Sequence, residues 1–280
     1  MTGWQQGGQL TPAAELQQQL WDSDPEGWAL YAEPHNAPLF RALLDATSAG
    51  PGTRLLDVGC GTGLMLQLAS HRGAQVTGVD VAPGLLAVAR ERLPEADLWL
   101  ADMDRLPLAD ASFDAVVGAN TFQFAGDPPG ALREAARVCR PGGAVAASTF
   151  AEPERCESTA VHEAMSALSP PERQSAHAPY SLSEPGNLES ALAAAGLEVA
   201  ATGEVDCIWR YDTLADALRG LLASAGATRA EQDAGPEAVR DVIESALVPF
   251  TDPATGIVAM RNVFRWVCAR KPDQRLDSLT

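Results

Sequence analysis

Apolar and polar residues change their spacing several times along this chain, and those changes mark its elements. Over residues 11–48 the spacing is helical, with Trp21, Trp28 and Tyr31 concentrated there. A break is expected at Glu33–Pro34, because helices tend to end before a proline. From Arg54 the pattern alternates. The run RLLDV predicts a short buried strand. Thr62 to His71 is helical, with Leu64, Met65, Leu68 and Ala69 on one face and Gly73 as its stop. AQVTGVD (74–80) reads as a second strand, and Pro83 to Leu93 as a helix opened by proline that turns Leu85, Leu86 and Ala89 inward. ADLWLAD (96–102) and SFDAVVGAN (112–120) predict a third and a fourth strand. A helix over Pro128 to Cys139 ends at RPGG, and GAVAASTF (143–150) is the fifth strand.

Strands alternating with helices of this length imply right-handed βαβ units, hence a parallel sheet with helices on both faces. Such doubly wound α/β folds bind ligands beyond the carboxyl ends of their strands. Regularity fails after Phe150. Residues 151–184 are proline-rich, with little periodicity beyond Val161, Met165 and Leu168, and predict one short helix and loops inserted over the sheet edge. Leu188 to Ala195 resumes as a helix, a strand lies in LEVAATGEVDCIWRYD, and two helices are expected over 213–248. IVAMRNVFRWVCARK (257–271) is the final strand. The expected organisation is a helical lid at 1–48, a core at 49–271 with a cap insertion at 151–184, and a flexible tail at 272–280.

Charge narrows the partners. The 280 residues include 37 acidic and 20 basic side chains, a net −17, which repels phosphate backbones and anionic headgroups and mildly favours a cationic ligand. No nucleic-acid and no membrane partner is expected. Cys60, Cys139, Cys156, Cys207 and Cys268 are scattered without a CxxC pair, which predicts reduced thiols and neither a disulfide framework nor a metal site. The polar, Gln-rich start lacks a signal-peptide pattern, and no 18-residue apolar run occurs, so the expected location is cytoplasmic.

The stretch LLDVGCGTGLMLQL (55–68) holds the candidate chemistry. Glycine is costly inside a regular element, so Gly59, Gly61 and Gly63 imply a sharp bend or a close approach. One reading is a tight strand-to-helix turn alone. A second is a dinucleotide fingerprint G-x-G-x-x-G/A, but the third glycine position is Leu64, and Asp57 would repel a pyrophosphate. A third is a ligand that brings a cationic group to the strand end.

DVGCGTG resembles the first motif of class I S-adenosylmethionine-dependent methyltransferases, and the resemblance runs in order over residues 50–150. It implies a Rossmann-like, doubly wound, seven-stranded, mostly parallel sheet whose last strand is antiparallel, with a helical cap from the N-terminus and the insertion after strand five. It implies S-adenosyl-L-methionine as cofactor. Asp80 in GVDVAPG would hold the ribose hydroxyls, with Val81 beside it. Asp102 in ADMDRLPL would receive the adenine amino group while the Met103 backbone reads the ring edge. Asp57 would offset the ammonium, with Gly59, Cys60, Gly61 and Gly63 beneath the amino-acid portion and Asn120 and Thr121 after strand four. Tyr31 matches a tyrosine that many members direct at the cofactor carboxylate.

The acceptor wall is expected from Trp28, Phe122, Phe124, His162, Tyr180, Trp209 and Tyr211, an apolar set suited to a small, flat or greasy metabolite of the kind found in specialised metabolism. Among the four histidines, His177 in HAPY is the choice for a catalytic base. The function implied is methyl transfer to oxygen, nitrogen or carbon of such a metabolite by a monomer or homodimer. The alternatives are a cofactor-binding protein of the same fold that catalyses a non-methylating reaction such as cyclisation, and a NAD-dependent oxidoreductase.

Overall fold

Leu55 and Leu56 are neighbours in one strand, and both are fully buried, on opposite faces of the sheet. Only a sheet covered by helices on both sides accommodates that pattern. The computed structural model describes residues 4–171 and 180–273. Its strands are β1 (Gln5–Gln6), β2 (Arg54–Val58), β3 (Gln75–Asp80), β4 (Asp97–Leu100), β5 (Phe113–Ala119), β6 (Cys139–Phe150), β7 (Glu198–Tyr211) and β8 (Val258–Arg270). They form one sheet in the order β1-β4-β3-β2-β5-β6-β8-β7. Strands β1 to β6 pair in parallel, and β8 enters antiparallel between β6 and β7.

Helices α1 (Pro12–Trp21), α2 (Pro25–Gly27), α3 (Ala37–Ala46), α4 (Leu64–His71), α5 (Pro83–Arg92), α6 (Pro128–Val138), α7 (Thr159–Ser166), α8 (Asn187–Ala194), α9 (Leu214–Leu222), α10 (Ala225–Ala234) and α11 (Pro236–Leu247) cover it. Leu43, Leu66 and Leu86 from α3, α4 and α5 pack on one face, and Leu132 and Leu192 from α6 and α8 on the other. A third apolar cluster joins Val161, Leu218, Val239 and Ile243 to Tyr211, Val258 and Met260. It sits where β7 ends and β8 begins, so α7, α9, α10 and α11 form a helical layer at the carboxyl ends of the parallel strands. The chain crosses from β3 to β4 on one side of β2 and from β5 to β6 on the other, which places the topological switch, and hence the ligand crevice, at the end of β2.

Four expectations need correction. The sheet has an eighth strand among the described residues, because β1 joins the edge of β4 through Gln5↔Trp99 and Gln6↔Leu100. Two exposed glutamines carry no apolar alternation to announce it. Strand β6 starts at Cys139 rather than 143, since RPGG, with Gly142 at φ 71°, runs into it as an irregularity of register between Phe113 and Ala115. Residues 213–248 hold three helices, not two: the Ser224 hydroxyl caps Ala227, and Gly235 at φ 86° turns the chain into Pro236. The chain does not break at Glu33–Pro34 but tightens, from a π-turn over Trp28–Ala32 to a 3₁₀ turn over Glu33–Asn36, before α3.

Candidate active site

A cavity of about 430 Å³ opens over the ends of β2, β3, β5 and β6. Its floor is Asp57, Gly59, Cys60, Gly61, Asp80, Val81, Asn120 and Thr121, with Met103 at one side. Its roof comes from Gln17, Trp21, Trp28, Glu33 and Asn36, and from His162, Met165 and Arg229 of the helical layer. The Gln18 amide of α1 donates to the Val81 carbonyl at 2.8 Å, fastening the roof to the end of β3.

The three glycines do three different jobs. A Cβ on Gly59 would lie 2.1 Å from the Thr121 hydroxyl, so this glycine lets the loop after β5 close against the loop after β2. A Cβ on Gly63 would meet the Ala89 methyl at 3.1 Å, so it lets α5 pack close; it does not line the cavity. A Cβ on Gly61 would point into open space, with only the Trp28 indole nitrogen near, at 3.9 Å. Gly61 is therefore the position where a ligand can lie against bare backbone.

Asp80 is oriented by that backbone. Its Oδ2 accepts from the Gly61 N–H at 2.8 Å and its Oδ1 from the Ala82 N–H at 2.9 Å. Burial raises its pKa against those two bonds. Asp57 lies beneath, 1% exposed, and its Oδ1 has no hydrogen-bond partner among the described residues. Burial, then the charges of Asp80 and Glu33, hold its pKa well above the usual carboxylate range. Glu33, which the sequence reading missed, accepts from the Leu64 N–H at 3.1 Å and pairs with Arg92 at 2.6 Å. An acid in a helical segment otherwise rich in apolar residues was the available signal. The same burial and acids push the Cys60 thiol up, so it is a packed and protonated group.

Several expected residues stand elsewhere. Asp102 does not line the cavity. Its Oδ2 accepts from both the N–H (3.1 Å) and the hydroxyl (2.6 Å) of Thr11, the N-cap of α1, and its Oδ1 from the Asp104 N–H. Its carboxylate anchors the roof helix. Tyr31 also lies off the cavity, its hydroxyl accepting from Arg219 at 2.8 Å with the guanidinium carbon 5.5 Å from its ring centre. Phe122 is 1% exposed, buried beneath the floor, and Tyr211 is buried against His35 and the helical layer. His177 lies outside the described residues.

The remaining acceptor-wall residues converge. Trp28 packs edge-on to Trp21 at 4.9 Å, and Trp21 to Phe124 at 6.2 Å. Phe150, at the end of β6, gathers His162 (5.7 Å), Tyr180 (5.3 Å) and Trp209 (6.2 Å) around its ring. His162 and Tyr180 are bonded at 2.9 Å, and burial lowers the His162 pKa to about 4 and pushes Tyr180 up to about 12. His162 is thus neutral at pH 7.

Residues 56–147, the segment that carries the floor, match the family model of a methyltransferase domain. That segment is thus similar to a methyltransferase domain, in line with the resemblance of the glycine motif to class I S-adenosylmethionine-dependent methyltransferases. That similarity implies S-adenosylmethionine as the cofactor. The malonyl-[acyl-carrier protein] O-methyltransferase of Serratia marcescens is 44% identical over 109 residues, 39% of this chain and 43% of that protein. The ubiquinone biosynthesis O-methyltransferase of Xanthomonas oryzae pv. oryzae is 35% identical over 148 residues, 51% of this chain and 60% of that protein. The match therefore spans about half the length of these relatives. In fold the chain is similar to the [4+2]-cyclase SpnF, with TM-score 0.59 and 20% identity over 95% of this chain and 99% of that one.

Among the described residues no helix is long and apolar enough to cross a membrane, and no cluster of His, Cys, Asp or Glu suits a metal ion.

Proposed function

We propose that the protein transfers the methyl group of S-adenosylmethionine to a small, largely apolar metabolite held in the same cavity. The observation that carries this reading is the pairing, in one lining, of an unpartnered buried acid at Asp57 with open backbone at Gly61. Both fit the cofactor. Asp57, seconded by Glu33, suits its ammonium, Gly61 leaves room for its amino-acid portion, and the remaining lone pairs of the backbone-oriented Asp80 suit a ribose diol. Val81 and Met103 would flank the adenine, with no carboxylate contribution from Asp102. The cofactor, when bound, supplies the activated methyl group and a neutral thioether leaving group.

The chain's own residues then have three tasks. Trp21, Trp28 and the roof exclude water. The apolar wall of Phe124, Phe150 and Trp209 orients the acceptor. The acids keep the positive charge where it is needed. With Arg229 facing the cavity and its Nη2 buried without a hydrogen-bond partner among the described residues, an acceptor bearing a carboxylate fits as well as a neutral one.

Titration calorimetry with S-adenosylhomocysteine, followed by a metabolite screen with methyl-labelled cofactor, tests the reading. Heat and a labelled product are expected. Absence of heat overturns cofactor binding, and heat without any labelled product favours a non-methylating reaction on the same fold.

A further inference from the structure

The hydrogen bonds behind His162 run in one direction. The Thr159 hydroxyl donates to the Pro153 carbonyl at 2.8 Å, and that carbonyl has no proton to return. Thr159 has only the one proton, so toward Tyr180, 2.9 Å away, its oxygen accepts. The Tyr180 proton is then committed to Thr159. The 2.9 Å contact between Tyr180 and His162 Nδ1 must take its proton from the imidazole ring. In this polarity three protons satisfy three contacts, whereas the reverse leaves the contact between Thr159 and Pro153 without one. Neutral His162 therefore carries its proton on Nδ1. Its Nε2 keeps a lone pair, makes no hydrogen bond among the described residues, and belongs to a ring that lines the cavity.

Resting on the methyltransferase reading, we infer that His162 is the proton acceptor of the transfer, held by Tyr180 and Thr159 with Nε2 toward the cavity, and that the acceptor is a hydroxyl on an apolar or aromatic skeleton. A neutral amine attacks with a lone pair it already has. A hydroxyl must shed a proton as it bonds to carbon, and a fixed lone pair beside it serves that need. The balance is complete. The hydroxyl oxygen's lone pair forms the new O–CH₃ bond, the methyl–sulfur bond breaks with its pair going to sulfur, and the O–H proton moves to Nε2. The positive charge passes from sulfonium to imidazolium. Phe150 and Trp209 at this end fit the skeleton, and burial of the ring returns the proton readily to water once the product leaves.

The tautomer is measurable without any acceptor. Long-range ¹H–¹⁵N NMR of the full chain should show His162 with protonated Nδ1 and unprotonated Nε2, and Tyr180→Phe should release Nδ1 and raise the Nε2–H population. A wild-type Nε2–H tautomer, or one that Tyr180→Phe leaves unmoved, overturns the inference. On the acceptor found in the labelled screen, His162→Asn keeps a donor toward Tyr180 but lacks the Nε2 lone pair. It should lower kcat ~10²–10⁴-fold while S-adenosylhomocysteine affinity stays within about twofold of wild type. Wild-type turnover in that variant, or a labelled product on carbon or nitrogen, also overturns it. Loss of S-adenosylhomocysteine binding by the wild type defeats the methyltransferase reading instead, with the tautomer result unaffected.

Discussion

Where the cavity meets the sheet its wall is mostly backbone. Gly59, Gly61 and the N–H groups that hold Asp80 all belong to strand-end turns a few residues long. Where it meets the helical layer its wall is side chains brought from far apart in the chain, with Phe150, His162, Tyr180 and Trp209 meeting only through tertiary packing. A backbone wall tolerates few substitutions and keeps one ligand chemistry. A side-chain wall can be refitted residue by residue, so the acceptor end is the place where specificity can change without loss of the fold.

The sharpest way to break the contrast is Glu33→Ala, because this roof residue is tied to the sheet side. It would leave Arg92 without its buried partner and the Leu64 N–H without its acceptor. A stability loss of about 3–5 kcal/mol is expected in denaturant unfolding. A loss below 1 kcal/mol would show that the pair contributes little. Next is Asp80→Ala, which should weaken S-adenosylhomocysteine by about 1.5–3 kcal/mol in calorimetry. An unchanged Kd would remove Asp80 from the cofactor site.

The glycines sharpen it further. Gly61→Ala and Gly63→Ala both place an L side chain at positive φ, 54° and 84°, and should each cost about 1–2 kcal/mol of stability. Only Gly61→Ala should also abolish ligand binding, since only that methyl enters the cavity. Equal effects on binding would erase the distinction.

Proton linkage gives a smaller signal. Asp57 and Asp80 have raised pKa values in the folded chain, so their contribution favours folding below the ordinary carboxylate range and is lost as pH rises through the raised values. A cationic ligand favours their ionised forms. Binding of S-adenosylhomocysteine should release protons and weaken as pH falls, read as a buffer-dependent binding heat; proton uptake would contradict the assignment. The smallest effect expected is that of Tyr31→Phe, within about 0.5 kcal/mol on ligand affinity, because its hydroxyl already serves Arg219.

The same contrast decides what was legible in the sequence. Strand ends carry their chemistry in contiguous letters, so Asp57, the glycines and Asp80 stood out, and the parallel order followed from alternating spacing. Asp102 fits the pattern by its letter, yet its Oδ2 is bonded to Thr11, ninety-one residues away in the chain, and its Oδ1 to the Asp104 N–H. Glu33 and Arg229 carry no local motif, and Gln5–Gln6 has no apolar alternation. Such residues gain their roles only from the packing that surrounds them.

All five cysteines are buried, and desolvation holds every thiol up, Cys139 and Cys207 to about 11. Their distribution makes the molecule its own set of clocks. Cys60 sits in the cavity floor, Cys139 at the start of β6, and Cys156, Cys207 and Cys268 around the antiparallel edge formed by β7 and β8. An alkylating reagent finds no thiolate on the folded surface, so each modified sulfur records one opening event. Read by peptide mass in dilute denaturant, the order of modification would tell which side of the sheet lets water in first, and whether a bound ligand stops the clock at Cys60 alone.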